Sequence, residues 1–300
     1  MKKLAAAALA GTLLVSVSSG CAAFTDDSAT SADGVRVAAA FYPLQYVADR
    51  VAGDHASVEN LTSTGGEPHD LELTPKETAD VARADLVVFQ RGFQPAVDDA
   101  VDENAEGDVL DVAQVVDLVP FRDHGVESDE DDPHFWQDPL LLADVGDAVA
   151  DRLATVDPDH ADDYEANAAD LRSDLEELDA EYADGLAGCE RSTVVVSHDA
   201  FGYLQRYGIT MSAIIGLSPD SEATPADLAR LQQLIQDDGV TTVFSESLVS
   251  PDTAEQLARD TGVGSEVLDP IEGLSDETAD EDYLSLMRAN LSALEEANGC

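Results

Sequence analysis

The stretch YEANAADLRSDLEELDAEYADGL, residues 164–186, decides the architecture. Within it Tyr164, Ala168, Leu171, Leu175, Leu178, Tyr182 and Leu186 recur every three or four residues. That spacing draws one apolar stripe along a long helix. Such a helix runs roughly 33 Å at 1.5 Å per residue. On both sides of it, short apolar runs alternate with helical spacing. The runs Val35–Ala40, Leu86–Phe89, Thr193–Ser197, Ile209–Ile215 and Thr241–Ser245 read as buried strands. Pro225–Gln236 and Pro251–Arg259 open with Pro after Thr or Ser, which is a helix-start signal. Strands alternating with helices imply parallel sheets. The expected fold is therefore α/β, with two lobes, each a mostly parallel sheet flanked by helices, joined by one long rigid helix. Its expected divisions are a lobe over 34–160, the linking helix over 161–187 and a second lobe over 188–300. A coiled-coil stripe is the competing reading, but the pattern stops where strand-like sequence resumes. No strong internal repeat is visible.

The 300 residues are 44% hydrophobic, enough to bury a core. They carry 63 acidic and 15 basic side chains, a formal charge of −48. Nucleic acid is excluded as a partner, because binding it needs a basic surface. Acidity of this kind attracts cations without selecting one, and its plainest reading is solubility or a salty habitat. At the N-terminus, Lys2 and Lys3 precede the apolar run Leu4–Val17, and Ser18, Ser19 and Gly20 lead to Cys21. Residues 1–20 read as an export signal, too short to span a membrane. Cys21 resembles a lipobox cysteine, although Ser18 stands where an aliphatic residue is usual. Residues 21–33 suit a flexible tether. The expected location is the outer face of the cytoplasmic membrane, anchored by lipid. Cys189 and Cys300 are the other two cysteines, and export favours a disulfide between them.

Of six histidines, His55 and His160 sit among charged neighbours and read as surface residues. His69 lies in Gly65-Gly66-Glu67-Pro68-His69-Asp70, after the strand-like run Val58–Leu61, and His198 directly follows Thr193–Ser197. His134 lies in Asp132-Pro133-His134-Phe135-Trp136, a turn before a helical segment. Ligands of open parallel sheets bind beyond the carboxyl ends of strands. Two carboxylates share that placement, Asp269 after Ser265–Leu268 and Glu246 after Thr241–Ser245. Three imidazoles and a carboxylate suit tetrahedral zinc. Spacing alone does not make these residues a site, since no compact His-x-x-x-His pattern joins any two.

Three segments together resemble the landmarks of one family: Glu67–Pro75, Asp132–Pro139 and Ser197–Leu204. Gly216-Leu217-Ser218-Pro219-Asp220, leading into the helix from Pro225, adds a fourth. The family is the metal-binding solute-binding proteins of zinc and manganese ABC importers, and the resemblance covers residues 34–298. It implies two lobes on one rigid helix with the metal in the cleft between them. It implies His69 and His134 as ligands from the first lobe, and His198 and Asp269 from the second, with Glu246 a neighbouring or alternative carboxylate. Histidine at the third station favours zinc over manganese. The implied partner is an ABC permease, and the implied state a monomer. The segment Arg122–Asp132 departs from the long His-rich loop of many zinc-type members, because its one histidine is His124.

Four protein ligands close a zinc shell, whereas catalytic zinc keeps a position for water. No Gly-x-Ser-x-Gly elbow, His-Glu-x-x-His or phosphate loop occurs. The expectation is a carrier, not an enzyme. The alternatives are a manganese or iron importer component, an exported zinc metallohydrolase and a metal-dependent adhesin.

Overall fold

The computed structural model of the chain describes residues 34–123, 126–219 and 221–300. The segment 1–20 expected to be an export signal, Cys21, the expected tether to residue 33, His124 and Asp220 lie outside the described residues. Residues Gly34–Cys300 form one compact unit.

Two four-stranded parallel sheets carry the fold. The first holds β1 (Val35–Ala39), β2 (Ala56–Asn60), β3 (Leu86–Phe89) and β4 (Asp108–Asp111) in the order β2-β1-β3-β4. The second holds β7 (Thr193–Val196), β8 (Thr210–Ala213), β9 (Thr242–Ser245) and β10 (Gly264–Val267) in the order β10-β9-β7-β8. Read from its other edge, the second order is the first with every strand replaced by its counterpart. The two lobes are thus one winding used twice, although the sequence shows no repeat. In each, the chain leaves the central strand, adds one neighbour, then crosses to the other side. That reversal opens a crevice at the carboxyl ends of the two inner strands.

Burial follows the pleat. In the second sheet Val194, Val196 and Phe244 face the main core, which runs without a break beneath both sheets. Val195 and Val243 face the opposite way, onto a smaller core with Leu231 and Ile235 of α6 (Pro225–Asp238) and Leu257 of α7 (Asp252–Thr261). The inner strands β3, β7 and β9 are covered on both faces, which is why they read as continuous apolar runs.

The helix read from residues 164–186 is α5, Ala161–Gly185. Its buried residues Tyr164, Ala168, Leu171, Leu175, Leu178 and Tyr182 are the stripe seen in the sequence. It is tied to both lobes. Arg50 of α1 (Tyr42–Ala52) reaches Asp174 at 2.6 Å, and Arg172 reaches Asp144 and Asp147 of α4 (Pro139–Val156) at 2.7 and 2.6 Å. Farther along, the Tyr182 hydroxyl donates to the Met287 carbonyl of α8 (Tyr283–Asn298) at 2.6 Å. Just past α5, Cys189 is disulfide-bonded to Cys300, with Cα atoms 4.1 Å apart.

Two elements differ from the sequence reading. β4 carries only Val109 and Leu110 as apolar residues and becomes a strand by pairing with β3. The acidic segment before His134 is not a loop but an antiparallel hairpin, β5 (Pro120–Asp123) with β6 (Val126–Asp131). A two-stranded antiparallel ribbon can leave its faces in water, so it needs no apolar pattern.

Candidate metal centre

Each imidazole is delivered by a different local device. Residues 65–69 form a loop after β2, fastened by the Gly65 N–H to the Leu274 carbonyl at 2.7 Å. In that loop the Glu67 carboxylate accepts from the backbone N–H of His69 at 3.1 Å and of Asp70 at 3.2 Å. His134 opens a 3-10 turn, Phe135–Gln137, at the base of the hairpin. His198 follows β7, the inner strand of its sheet, at the crevice.

The three rings converge on one oxygen. Glu272 Oε1 lies 3.3 Å from His69 Nε2, 3.2 Å from His134 Nε2 and 3.2 Å from His198 Nε2. His134 Nε2 and His69 Nε2 are 3.4 Å apart. One ligand atom from each of His69, His134, His198 and Glu272 lies within 4.8 Å of all the others, the only such group of three or more among the described residues. The cluster is deep: His134 and His198 have fully buried side chains, Glu272 is 2% exposed, and His69 alone reaches 10%.

Carboxylates behind the rings fix which nitrogen faces inward. His134 Nδ1 donates to Asp132 Oδ1 at 2.8 Å, and that same oxygen accepts from the His134 backbone N–H at 3.0 Å. Gly202 makes room for Asp132, since a Cβ there would sit 2.5 Å from Asp132 Oδ2. The Tyr203 hydroxyl donates to the Asp132 carbonyl at 2.8 Å. Glu246 follows β9 and serves His198 in the same way. Its Oε1 accepts from the His198 backbone N–H at 2.9 Å, and its Oε2 forms an ion pair with Nδ1 at 2.8 Å whose angle falls short of a hydrogen bond. Such partners select the Nε2-facing tautomer and raise ligand basicity.

The electrostatics follow from this crowding. Burial penalises the imidazolium of His198, but Glu246 and Glu272 outweigh it and push its pKa up to about 10. Burial and the carboxylates oppose each other likewise at His134, where Asp132 and Glu272 win and the pKa is raised. Burial alone would raise Glu272; His198, His134 and His69 reverse that and hold it well below the usual carboxylate range.

Asp269, the carboxylate expected from the sequence, lies outside the cluster. Its Oδ2 accepts from the Ser247 hydroxyl at 2.8 Å and its Oδ1 from the Ile271 N–H at 2.7 Å. Glu246 lies behind His198, as a neighbour. The sequence reading chose Asp269, the first carboxylate after a strand, and did not consider Glu272, the one the fold brings into the cluster. The available signal was the turn itself, Pro270-Ile271-Glu272-Gly273, three residues on.

Two like-wound α/β lobes on one long helix, with a histidine-rich cluster fed from both, define a solute-binding protein of the helix-linked type. The chain belongs to the family described as zinc-uptake complex component A, periplasmic, which it matches over residues 37–297. It is 31% identical over 280 residues to the high-affinity zinc uptake system protein ZnuA of Bacillus subtilis, covering 88% of each chain. It is 34% identical over 281 residues to the zinc-binding lipoprotein AdcA of Streptococcus pneumoniae, covering 88% of this chain. There it spans little more than half of the relative, 56% of its length. Among solved structures, the Zn(II)-bound ZnuA-like domain of Streptococcus pneumoniae AdcA superposes with a TM-score of 0.76 at 32% identity, covering 89% of this chain and 100% of that one.

Proposed function

We propose that His69, His134, His198 and Glu272 bind one zinc ion as cargo, and that the protein captures it outside the cytoplasm for the membrane permease of an ABC-type importer. The convergence of three Nε2 atoms and one carboxylate in a buried pocket carries this reading. Four nitrogen and oxygen donors match the tetrahedral preference of zinc. An imidazole-rich set favours zinc over manganese, which prefers oxygen. The names of the relatives point the same way, and membership of one family brings that cargo to this chain. A shell filled by four protein donors leaves no position for a reacting water, so the site is read as a carrier's and not an enzyme's. In this reading the lobes run over 34–160 and 188–300 with the linker 161–187 between them, and Cys21 anchors a monomer to the membrane. Glu272 takes the place first expected for Asp269.

A competitive chelator titration tests the proposal. The wild-type chain should take up one zinc. Glu272→Gln should bind it at least about tenfold more weakly, the lower range for disturbing a metal's surroundings. Wild-type affinity in that variant, or failure to bind zinc at all in the native chain, would sink it. Zinc-limited growth of a deletion strain then separates transport from adhesion.

The raised histidines set the pH dependence. Zinc binds neutral imidazole, so protons held by the metal-free site compete with it. Unperturbed imidazoles would lose affinity only below about pH 6.5. Here His198 is pushed up to about 10, so it enters neutral solution protonated, and His134 is shifted in the same direction. Affinity should therefore keep rising with pH through the neutral range. The proton on His198 must leave for zinc to bind its imidazole, so at least about one proton should be released per zinc bound. Calorimetry at pH 7 in buffers of different ionisation enthalpy counts them, and zero protons released would contradict the electrostatics described.

A further inference from the structure

The loop that delivers Glu272 is held in an unusual conformation. Ile271 has φ of 59°, the only positive φ outside glycine among the described residues, and its side chain is fully buried. A β-branched residue in the left-handed region is a true outlier. Such a conformation persists only where surrounding contacts dictate it, and it marks ligand clamps and functional loops.

The contacts that dictate it begin at Asp269. Its backbone is bracketed by one side chain: the Asp269 N–H donates to Asn290 Oδ1 at 2.9 Å, and Asn290 Nδ2 donates to the Asp269 carbonyl at 2.6 Å. The Asp269 carboxylate, steadied by Ser247, then accepts from the Ile271 N–H two residues on. That is the Asx-type bond by which an aspartate shapes the turn that follows it. Between them, the Pro270 carbonyl accepts from Trp136 Nε1 at 2.8 Å and from Gln137 Nε2 at 2.6 Å. Both donors belong to the turn headed by His134. The segment is thus pinned at residues 269 and 270, forced left-handed at 271, and delivers its carboxylate at 272.

We propose that Asp269 is a positioning residue for the metal site. It does not touch the ion; its carboxylate holds Ile271 left-handed, and this places the Glu272 oxygen among the three imidazoles. The inference rests on Glu272 being a zinc ligand. It also accounts for an aspartate that is 6% exposed, adjacent to the cluster, and turned away from it.

Zinc titrations of Asp269→Asn, Asp269→Ala, Glu272→Gln and two double variants test it. Asparagine keeps an oxygen for the Ile271 N–H, so Asp269→Asn should lose less than about tenfold in affinity, whereas Asp269→Ala should lose about 10–100-fold. Glycine takes φ of 59° without strain. Asp269→Ala/Ile271→Gly should therefore recover part of the loss. Because the effect runs through Glu272, Asp269→Ala should cost nothing further on a Glu272→Gln background. A general structural role would cost the same on both. If Asp269→Ala binds zinc like the wild type, the positioning role falls. It falls also if Asp269→Asn is as weak as Glu272→Gln, a result that does not depend on the alanine variant folding. A Glu272→Gln protein with wild-type affinity would instead remove the ligand assignment itself.

Discussion

Replacing His198 with alanine should cost zinc affinity about 100–1,000-fold, the largest loss expected of any single change in the site. Structural zinc binds with about 10–16 kcal/mol in all, so one of four donors accounts for about 3–4 kcal/mol, and each 1.4 kcal/mol is tenfold. The change also strips Glu246 of its imidazole partner. The backbone N–H of residue 198 still reaches Glu246 Oε1, but the 2.8 Å contact from Nδ1 to Oε2 is gone. A buried carboxylate deprived of its counter-charge is costly. The metal-free variant should therefore also melt lower than the wild type. A competitive titration and a thermal melt read the two effects separately. Near-wild-type affinity in His198→Ala would show that zinc binds elsewhere, and the acidic surface would be the first place to look.

The second large effect concerns the cross-link. Cys189 and Cys300 are 111 residues apart in sequence, so their bond closes nearly all of the second lobe into one loop. By the chain-entropy account a loop of that size stabilises by about 4.7 kcal/mol, within a usual range of about 2–5. For a domain of this size each kcal/mol moves the melting temperature by about 2–4 °C. The Cys189→Ser/Cys300→Ser variant should thus melt about 4–20 °C below the oxidised wild type. The bond lies at the far ends of α5 and α8, away from the cluster, so zinc affinity measured well below the melting temperature should hold. An unchanged melting temperature would mean that α8 is secured by packing alone.

Much of this molecule is legible in its sequence, for reasons that differ from part to part. The stripe from Tyr164 to Leu186 is legible because a helix with one buried face must repeat every three or four residues. The inner strands are legible because sheets covered on both faces demand unbroken apolar runs. β4 and the β5–β6 hairpin obey neither rule, since pairing alone makes them strands. The winding that repeats in the two lobes left no trace because topology constrains strand order, not side-chain identity. His69, His134 and His198 stood out through the motifs around them, and the fold brings them together. The fourth member did not. Asp269 and Glu272 share one turn, and which carboxylate faces the cluster depends on the handedness of Ile271. No residue in that turn announces its handedness, because β-branched side chains almost never adopt it.

The hydrogen bond from Trp136 to Pro270 has a spectroscopic consequence. The chain contains a single tryptophan. Its indole is fully buried, 5.2 Å from the His134 ring, and its N–H ends on the turn that carries Glu272. Indole emission from this protein therefore originates at one spot, wedged between two members of the cluster that come from opposite lobes. Its wavelength reports whether that spot stays dry, and its intensity responds to the charge on the neighbouring ring. The molecule carries its own label at the seam where the ion would sit, and a chemist watching it load needs no dye.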